Sequence, residues 1–276
     1  MTVEQFPAPS DVATMYDGIG QIYGSAWGPN KHYGYWENDA DDSSVEEATD
    51  RLTDMMISGI AARPGQRVLD IGCGIGHPAL RLVRACDVNV VGISVSHVQV
   101  AKANELTAEA GLADRATFQF TDAMNMSFPD GSFDAAWAFE SMWHMPDRGQ
   151  VLAEAARVLR PGGRLAVADV IERGPVSPEG RAVLDHICAN YAVRSLGTID
   201  EYRTALAANG FVDVEIRDIS DNVGRTLDLM ADAVETVRDK LTALVGEEQA
   251  TSLIDFMRLS AATPESGYVY LTAVRA

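Results

Sequence analysis

Short apolar runs alternate with stretches whose apolar positions recur at helical spacing, and the alternation is clearest between residues 66 and 170. The runs at Arg67–Ile71, Val88–Ile93, Ala116–Phe120, Phe133–Ala138 and Arg164–Val170 predict strands. The helices between them are expected to begin near Gly76, Ser96 and Asp147. Ser96-His97-Val98-Gln99 and Asp147-Arg148-Gly149-Gln150 have the spacing of reciprocal N-terminal capping boxes, and Arg160-Pro161-Gly162-Gly163 stops a helix and turns into the next strand. Thr198-Ile199-Asp200-Glu201 opens a further capped helix that ends at Asn209-Gly210, and Phe211–Arg217 and Tyr268–Val274 supply two last strands, read as an antiparallel pair. Strand and helix alternating with short links predict an α/β chain: a seven-stranded, mostly parallel sheet with helices on both faces.

Three largely helical segments fall outside that core: residues 1–62, roughly 174–196 and roughly 219–265. The expected division is therefore an N-terminal helical lid segment over 1–62 and a core over 63–276 that carries two helical cap insertions. In such sheets ligands bind beyond the carboxyl ends of the strands, so helical additions serve to roof that edge. The first 36 residues hold seven of the 20 aromatic residues: Phe6, Tyr16, Tyr23, Trp27, Tyr33, Tyr35 and Trp36. They serve either to pack the N-terminal helices on the core or to form an aromatic lid over an apolar substrate.

Composition narrows the partners. The net charge of −18, from 40 acidic and 22 basic residues, repels phosphate backbones and anionic bilayers, so no nucleic acid and no membrane partner is expected. No apolar run approaches the roughly 20 residues needed to span a bilayer, and no signal peptide is recognised. Cys73, Cys86 and Cys188 lack metal-ligand spacing. They predict reduced thiols, a cytoplasmic location and no metal site. An aromatic N-terminal segment also leaves open a homo-oligomer in which it completes a neighbour's lid.

The chemistry concentrates in residues 68–80, VLDIGCGIGHPAL, where an apolar run ends in Asp70 and the alternate glycines Gly72, Gly74 and Gly76. Glycines there let the backbone turn from strand to helix and approach a ligand without a Cβ in the way. Gly74, Gly76 and Ala79 match a dinucleotide fingerprint, but Asp70 precedes the glycines and the next strand is followed by Ser94 rather than an acidic residue. The pattern D-x-G-x-G-x-G resembles instead the first motif of class I S-adenosylmethionine (SAM) methyltransferases, whose cationic cofactor makes a nearby carboxylate sensible. His32-Tyr33-Gly34-Tyr35-Trp36, GISVSHVQ, DAMNMSF, ESMWHMPD and VLRPGGRLAVAD follow the order and spacing of a small-molecule group. That group includes the rebeccamycin sugar O-methyltransferase and, more distantly, tocopherol, sterol side-chain and cyclopropane-mycolic-acid enzymes.

The resemblance implies a Rossmann-like fold with a helical lid, SAM as cofactor and S-adenosylhomocysteine as product. It places Gly72 and Gly74 at the methionine end with Asp70 behind them and Gly76 also on the cofactor, Ser94 and Gln99 on the ribose, Asp122 and the Ala123 N–H on the adenine, and Glu140 and Ser141 in the methionine pocket. Gln99 has a rival role as partner to Ser96, and Asp122 as a turn former. His144 is the expected general base, with Asp169 orienting its ring. The related enzyme has two adjacent histidines, whereas here Trp143 takes the first position. Tyr23, Trp27, Tyr33, Trp36 and Trp143 are candidate substrate contacts. The expected reaction is O-methylation of a hydroxyl on an apolar natural product or its sugar. Two alternatives stay open: C-methylation of a terpenoid or prenyl group, with Glu172 as a further candidate base, and a cyclase that keeps SAM without transferring its methyl.

Overall fold

The computed structural model describes Trp27, Asn30 and residues 32–276 except Ala192. Strands β1 (Arg67–Ile71), β2 (Asn89–Ser94), β3 (Ala116–Phe120), β4 (Phe133–Phe139), β5 (Leu159–Glu172), β6 (Phe211–Asp218) and β7 (Ser266–Arg275) form one sheet in the order β3-β2-β1-β4-β5-β7-β6. The first five pair in parallel, and β7 runs antiparallel to both its neighbours. Burial explains why β7 inserts between β5 and β6. Its stretch from Gly267 to Ala273 is buried on both faces, as a central strand requires, whereas β6 carries Asp213, Glu215, Arg217 and Asp218 along an edge. Strand β5 begins earlier than the sequence suggests. Leu159 already pairs with Phe133, and the Pro161-Gly162-Gly163 turn is absorbed as an irregularity before Arg164 pairs with Ala135.

Helices α1 (Val45–Ile60), α2 (His77–Cys86), α3 (His97–Glu109), α4 (Arg148–Val158), α5 (Pro178–Asn190) and α6 (Ile199–Ala208) cover the sheet. Leu52 and Met56 of α1, Val83 of α2, Ala103 of α3 and Leu184 of α5 share one apolar core with Val68. Val151 and Leu152 of α4 and Tyr202 and Leu206 of α6 share the other with Leu69 and Ile71. Alternate residues of β1 thus point into opposite layers, as a strand covered on both sides dictates. The short helix α7 (Ser220–Val223) leads into α8 (Arg225–Glu235), α9 (Arg238–Val245) and α10 (Glu247–Ala261), which close a small core of their own around Ala231, Leu241 and Ile254. The two insertions meet where His186 of α5 packs edge-on against Phe256 of α10, 4.7 Å between ring centroids.

The caps differ in one instructive way. Thr198 and Glu201 bond reciprocally, as do Ser44 and Glu47 at the start of α1. Ser96 and Asp147 instead accept from the N–H groups of Gln99 and Gln150, while the glutamine side chains turn elsewhere, to Ser94 and to the Met124 carbonyl. Among the described residues no helix is long and apolar enough to cross a membrane.

Candidate functional site

At the carboxyl end of β1 the chain reverses through Gly72, Gly74 and Gly76, with φ of +79°, +52° and +84°. Each glycine has its own reason. A Cβ on Gly72 would stand 2.3 Å from that of Ser141, because the turns after β1 and β4 touch there and the Ser141 hydroxyl donates to the Ile71 carbonyl at 2.6 Å. A Cβ on Gly76 would meet the Phe118 ring at 2.8 Å. Gly74 has nothing within 4 Å of where its Cβ would be, and it faces a cavity of about 200 Å³. Its open backbone is the surface on which a ligand can lie.

The cavity opens along the carboxyl edges of β1, β2 and β4. Asp70, Gly72, Gly74, Gly76, Ser94, Gln99, Asp122, Ala123 and Glu140 all line it. Ser94 Oγ donates to Gln99 Oε1 at 2.9 Å and accepts from the Ser96 N–H at 3.1 Å, so the two side chains form one polar station beyond β2. The rival role for Gln99 is only half realised: its backbone is capped while its side chain stays at this station. Asp122 Oδ1 accepts from the Met124 N–H at 2.8 Å, so the turn-forming role coexists with a place on the wall. Burial pushes the Asp70 carboxyl up to about 7, against a smaller downward pull from the Trp137 indole. An acid so placed regains its charge when a cation lies beside it.

Glu140 is the strained residue of the site. It sits just past β4 with φ of +48°, a conformation that costs a non-glycine residue free energy and is retained where surrounding bonds hold it. Its Oε1 accepts twice, from the Tyr33 N–H at 2.7 Å and from the Tyr268 hydroxyl at 2.6 Å. Burial pushes this carboxyl up to about 8. Through it the His32–Trp36 segment is fastened to the sheet.

The expected catalytic residues part company. His144 lies in a short 3₁₀ turn (Met142–His144) beyond β4 and lines the cavity; burial pushes its imidazole down to about 4, so it is neutral at pH 7. Its ring is bonded to the Tyr191 backbone. Asp169 is fully buried behind the cavity wall, where Oδ2 accepts from the Tyr202 hydroxyl at 2.6 Å. The side-chain partner of Asp169 is thus Tyr202 of α6, while the His144 ring is held by the Tyr191 backbone. Glu172 is ion-paired with Arg181 at 2.8 Å and is not among the lining residues.

The aromatic candidates also lie off the wall. Trp36 is fully buried, donates to the Ser43 carbonyl at 3.0 Å and stacks under Arg225. Trp27 donates to the His32 carbonyl at 3.3 Å. Tyr33 stacks on Tyr268 with centroids 5.1 Å apart, and Trp143 donates to the Glu140 carbonyl at 3.1 Å while packing on Tyr191. Among the described residues these four make packing and hydrogen-bond contacts and are not part of the cavity lining. Tyr23 lies outside the described residues. The lining residues that sequence reasoning passed over as site residues include His32, Phe139 and Pro146. His32 stacks on Phe139 at 4.1 Å and uses both ring nitrogens internally, on the Tyr33 carbonyl and on Thr53 Oγ1. Its place at the head of the HYGYW block was the available signal.

These residues fit SAM. The open Gly74 backbone, the paired Ser94 and Gln99, Asp122 beyond β3 and a buried Asp70 that lacks a cation are the donor set that ligand needs. The family model described as a methyltransferase domain matches residues 69–167. The chain is 38% identical over 268 residues to the 27-O-demethylrifamycin SV methyltransferase of Amycolatopsis mediterranei, covering 97% of each chain. It is 38% identical over 263 residues to methyltransferase GfsG of Streptomyces halstedii, covering 95% of this chain and 93% of that one. Among solved structures, the [4+2]-cyclase SpnF superimposes with a TM-score of 0.85 at 32% identity, covering 98% of this chain and 97% of that one. The chain belongs to the class I SAM-dependent methyltransferases of the small-molecule group, and SAM is its cofactor.

Proposed function

We propose that the enzyme O-methylates a hydroxyl of a largely apolar natural product or its sugar, with His144 as proton acceptor. The observation that carries this reading is a neutral imidazole on the cavity wall just beyond β4. Bound SAM supplies an electrophilic methyl group on a sulfonium. Asp70 balances the cationic end, Ser94 and Gln99 take the ribose hydroxyls, and Asp122 with the Ala123 N–H takes the adenine. Phe139, Met145 and Pro146 supply apolar wall beside His144. A hydroxyl grows strongly acidic as its oxygen bonds to the methyl carbon, so even a weakly basic imidazole can accept the proton at that moment. Positioning in a dry cavity supplies the rest of the acceleration. The segment from His32 onward helps to roof the cavity. Two ties support this: His32 on the cavity wall and the Tyr33 N–H on Glu140.

The name of the Amycolatopsis relative, which specifies O-methylation, supports the acceptor atom. C-methylation through Glu172 loses support, since that carboxylate is held by Arg181 away from the cavity. A second reading follows from the likeness to SpnF: a cyclase that retains the methyltransferase fold. His144→Ala separates the roles. The expected outcome is a loss of turnover on the order of a hundredfold or more, with the calorimetric affinity for SAM within about threefold of the parent. Full turnover by the variant overturns the base assignment.

A further inference from the structure

Ala135, Ala136 and Ala138 flank Trp137 in β4, and the indole is fully buried in the apolar layer that also holds Val68, Phe139 and Trp143. A buried indole brings an N–H whose desolvation carries a cost unless it is bonded, whereas phenylalanine fills a core without a donor. Packing alone therefore does not account for a tryptophan here.

The sheet register supplies the partner. Asp70 of β1 stands beside Trp137 in the parallel ladder, so the two side chains leave the sheet on the same face. The indole donates to the Asp70 carboxyl. Beyond that carboxyl, Nε1 has no hydrogen-bond partner among the described residues. Asp70 lines the cavity and Trp137 does not, so Trp137 reaches the cofactor only through Asp70. Asp70 is only 3% exposed. Carrying a charge there takes a cation on the cavity side and a donor on the core side, and the indole is that donor.

We propose that Trp137 is a positioning residue for the cofactor: its indole N–H orients the Asp70 carboxyl and stabilises it as an anion when the cationic end of SAM arrives. The proposal rests on the reading that Asp70 meets that cationic end, and the experiment separates the two. Calorimetry gives the SAM affinity of the parent, Trp137→Phe, Asp70→Ala and the double variant. Each single substitution is expected to weaken binding roughly tenfold or more. With Asp70 gone, Trp137→Phe is expected to add less than about threefold, because the path through the carboxyl is lost. A purely structural tryptophan would give the same factor in both backgrounds. The second readout leaves Trp137 in place. Its assigned indole N–H signal in NMR is expected to move downfield when SAM saturates the parent, since an anion accepts more strongly than a neutral acid. In SAM-saturated Asp70→Ala that shift is expected to be absent. An indole signal unmoved by SAM in the parent, or equal losses from Trp137→Phe in both backgrounds, overturns the role of Trp137 alone. Asp70→Ala binding SAM as tightly as the parent overturns the Asp70 reading and the proposal with it.

Discussion

Single residues at this site are fixed by what lies within a few ångströms of them, and Gly72 shows it most sharply. Its positive φ and the Ser141 side chain 2.3 Å from any added Cβ leave no room for another residue. Gly72→Ala must either push the β4 turn away or flatten the β1 turn. A destabilisation of about 1–3 kcal/mol is expected from overpacking of this kind, together with weaker SAM binding, because Ser141 and Glu140 share the displaced turn. Urea denaturation and calorimetry check both; a variant as stable and as tight-binding as the parent would show that the contact between the two turns is dispensable. The same short range explains what the sequence disclosed. The ten residues assigned to cofactor contacts, Ser141 included, all line the cavity; all but Gln99, which lies in the first turn of α3, sit in or next to the turn that ends a strand, and a motif with fixed spacing specifies such a turn. The side-chain partner of Asp169 was not legible, because adjacency of strand ends says nothing about which side chain bonds there. It is Tyr202, from a helix some thirty residues later in the chain.

Elements were legible wherever one physical rule dominated. Strands β1 to β4 came from continuous apolar runs closed by turn residues, and α6 from its capping box. Two features were not. The start of β5 hides behind a Pro-Gly-Gly segment that reads as a break, yet the pairing of Leu159 with Phe133 carries the strand through it. The insertion of β7 between β5 and β6 reflects which strand is buried on both faces, a comparison between distant segments rather than a local signal. Helix α3 illustrates how an element serves the site. Ser96 caps it through the backbone of Gln99, which releases the glutamine side chain to meet Ser94 at the cavity. The aromatic-rich N-terminal block left two roles open, and for Trp36 the structure shows burial under Arg225 and against Gly34.

For the whole molecule, three buried carboxyls set an unusual pH dependence. Burial raises Asp70 and Asp169 to about 7 and Glu140 to about 8, whereas in the unfolded chain all three ionise near 4. Between pH 6.5 and 8 the folded state therefore holds protons that the unfolded state has lost, so stability falls as pH rises. His32 and His144, lowered to about 4, add stability as pH rises only up to the unfolded value near 6.5, after which they contribute no slope. Urea denaturation of the ligand-free protein should show a decline on the order of 1 kcal/mol per pH unit for each carboxyl at the lower end of that window. Saturating SAM should make the decline shallower, because a cation beside Asp70 draws its carboxyl back down. Stability that climbs from pH 6.5 to 8 would contradict the burial of these acids in protonated form.

The most direct test of the central claim follows the methyl group itself. Purified enzyme is incubated with SAM bearing a deuterated methyl and a panel of hydroxylated macrolides, glycosides and terpenoid alcohols, and products are read by mass spectrometry. The account predicts S-adenosylhomocysteine in step with a product heavier by one labelled methyl, bound through oxygen. An acceptor converted to a product of unchanged mass while SAM remains intact would contradict it and establish the cyclase reading in its place.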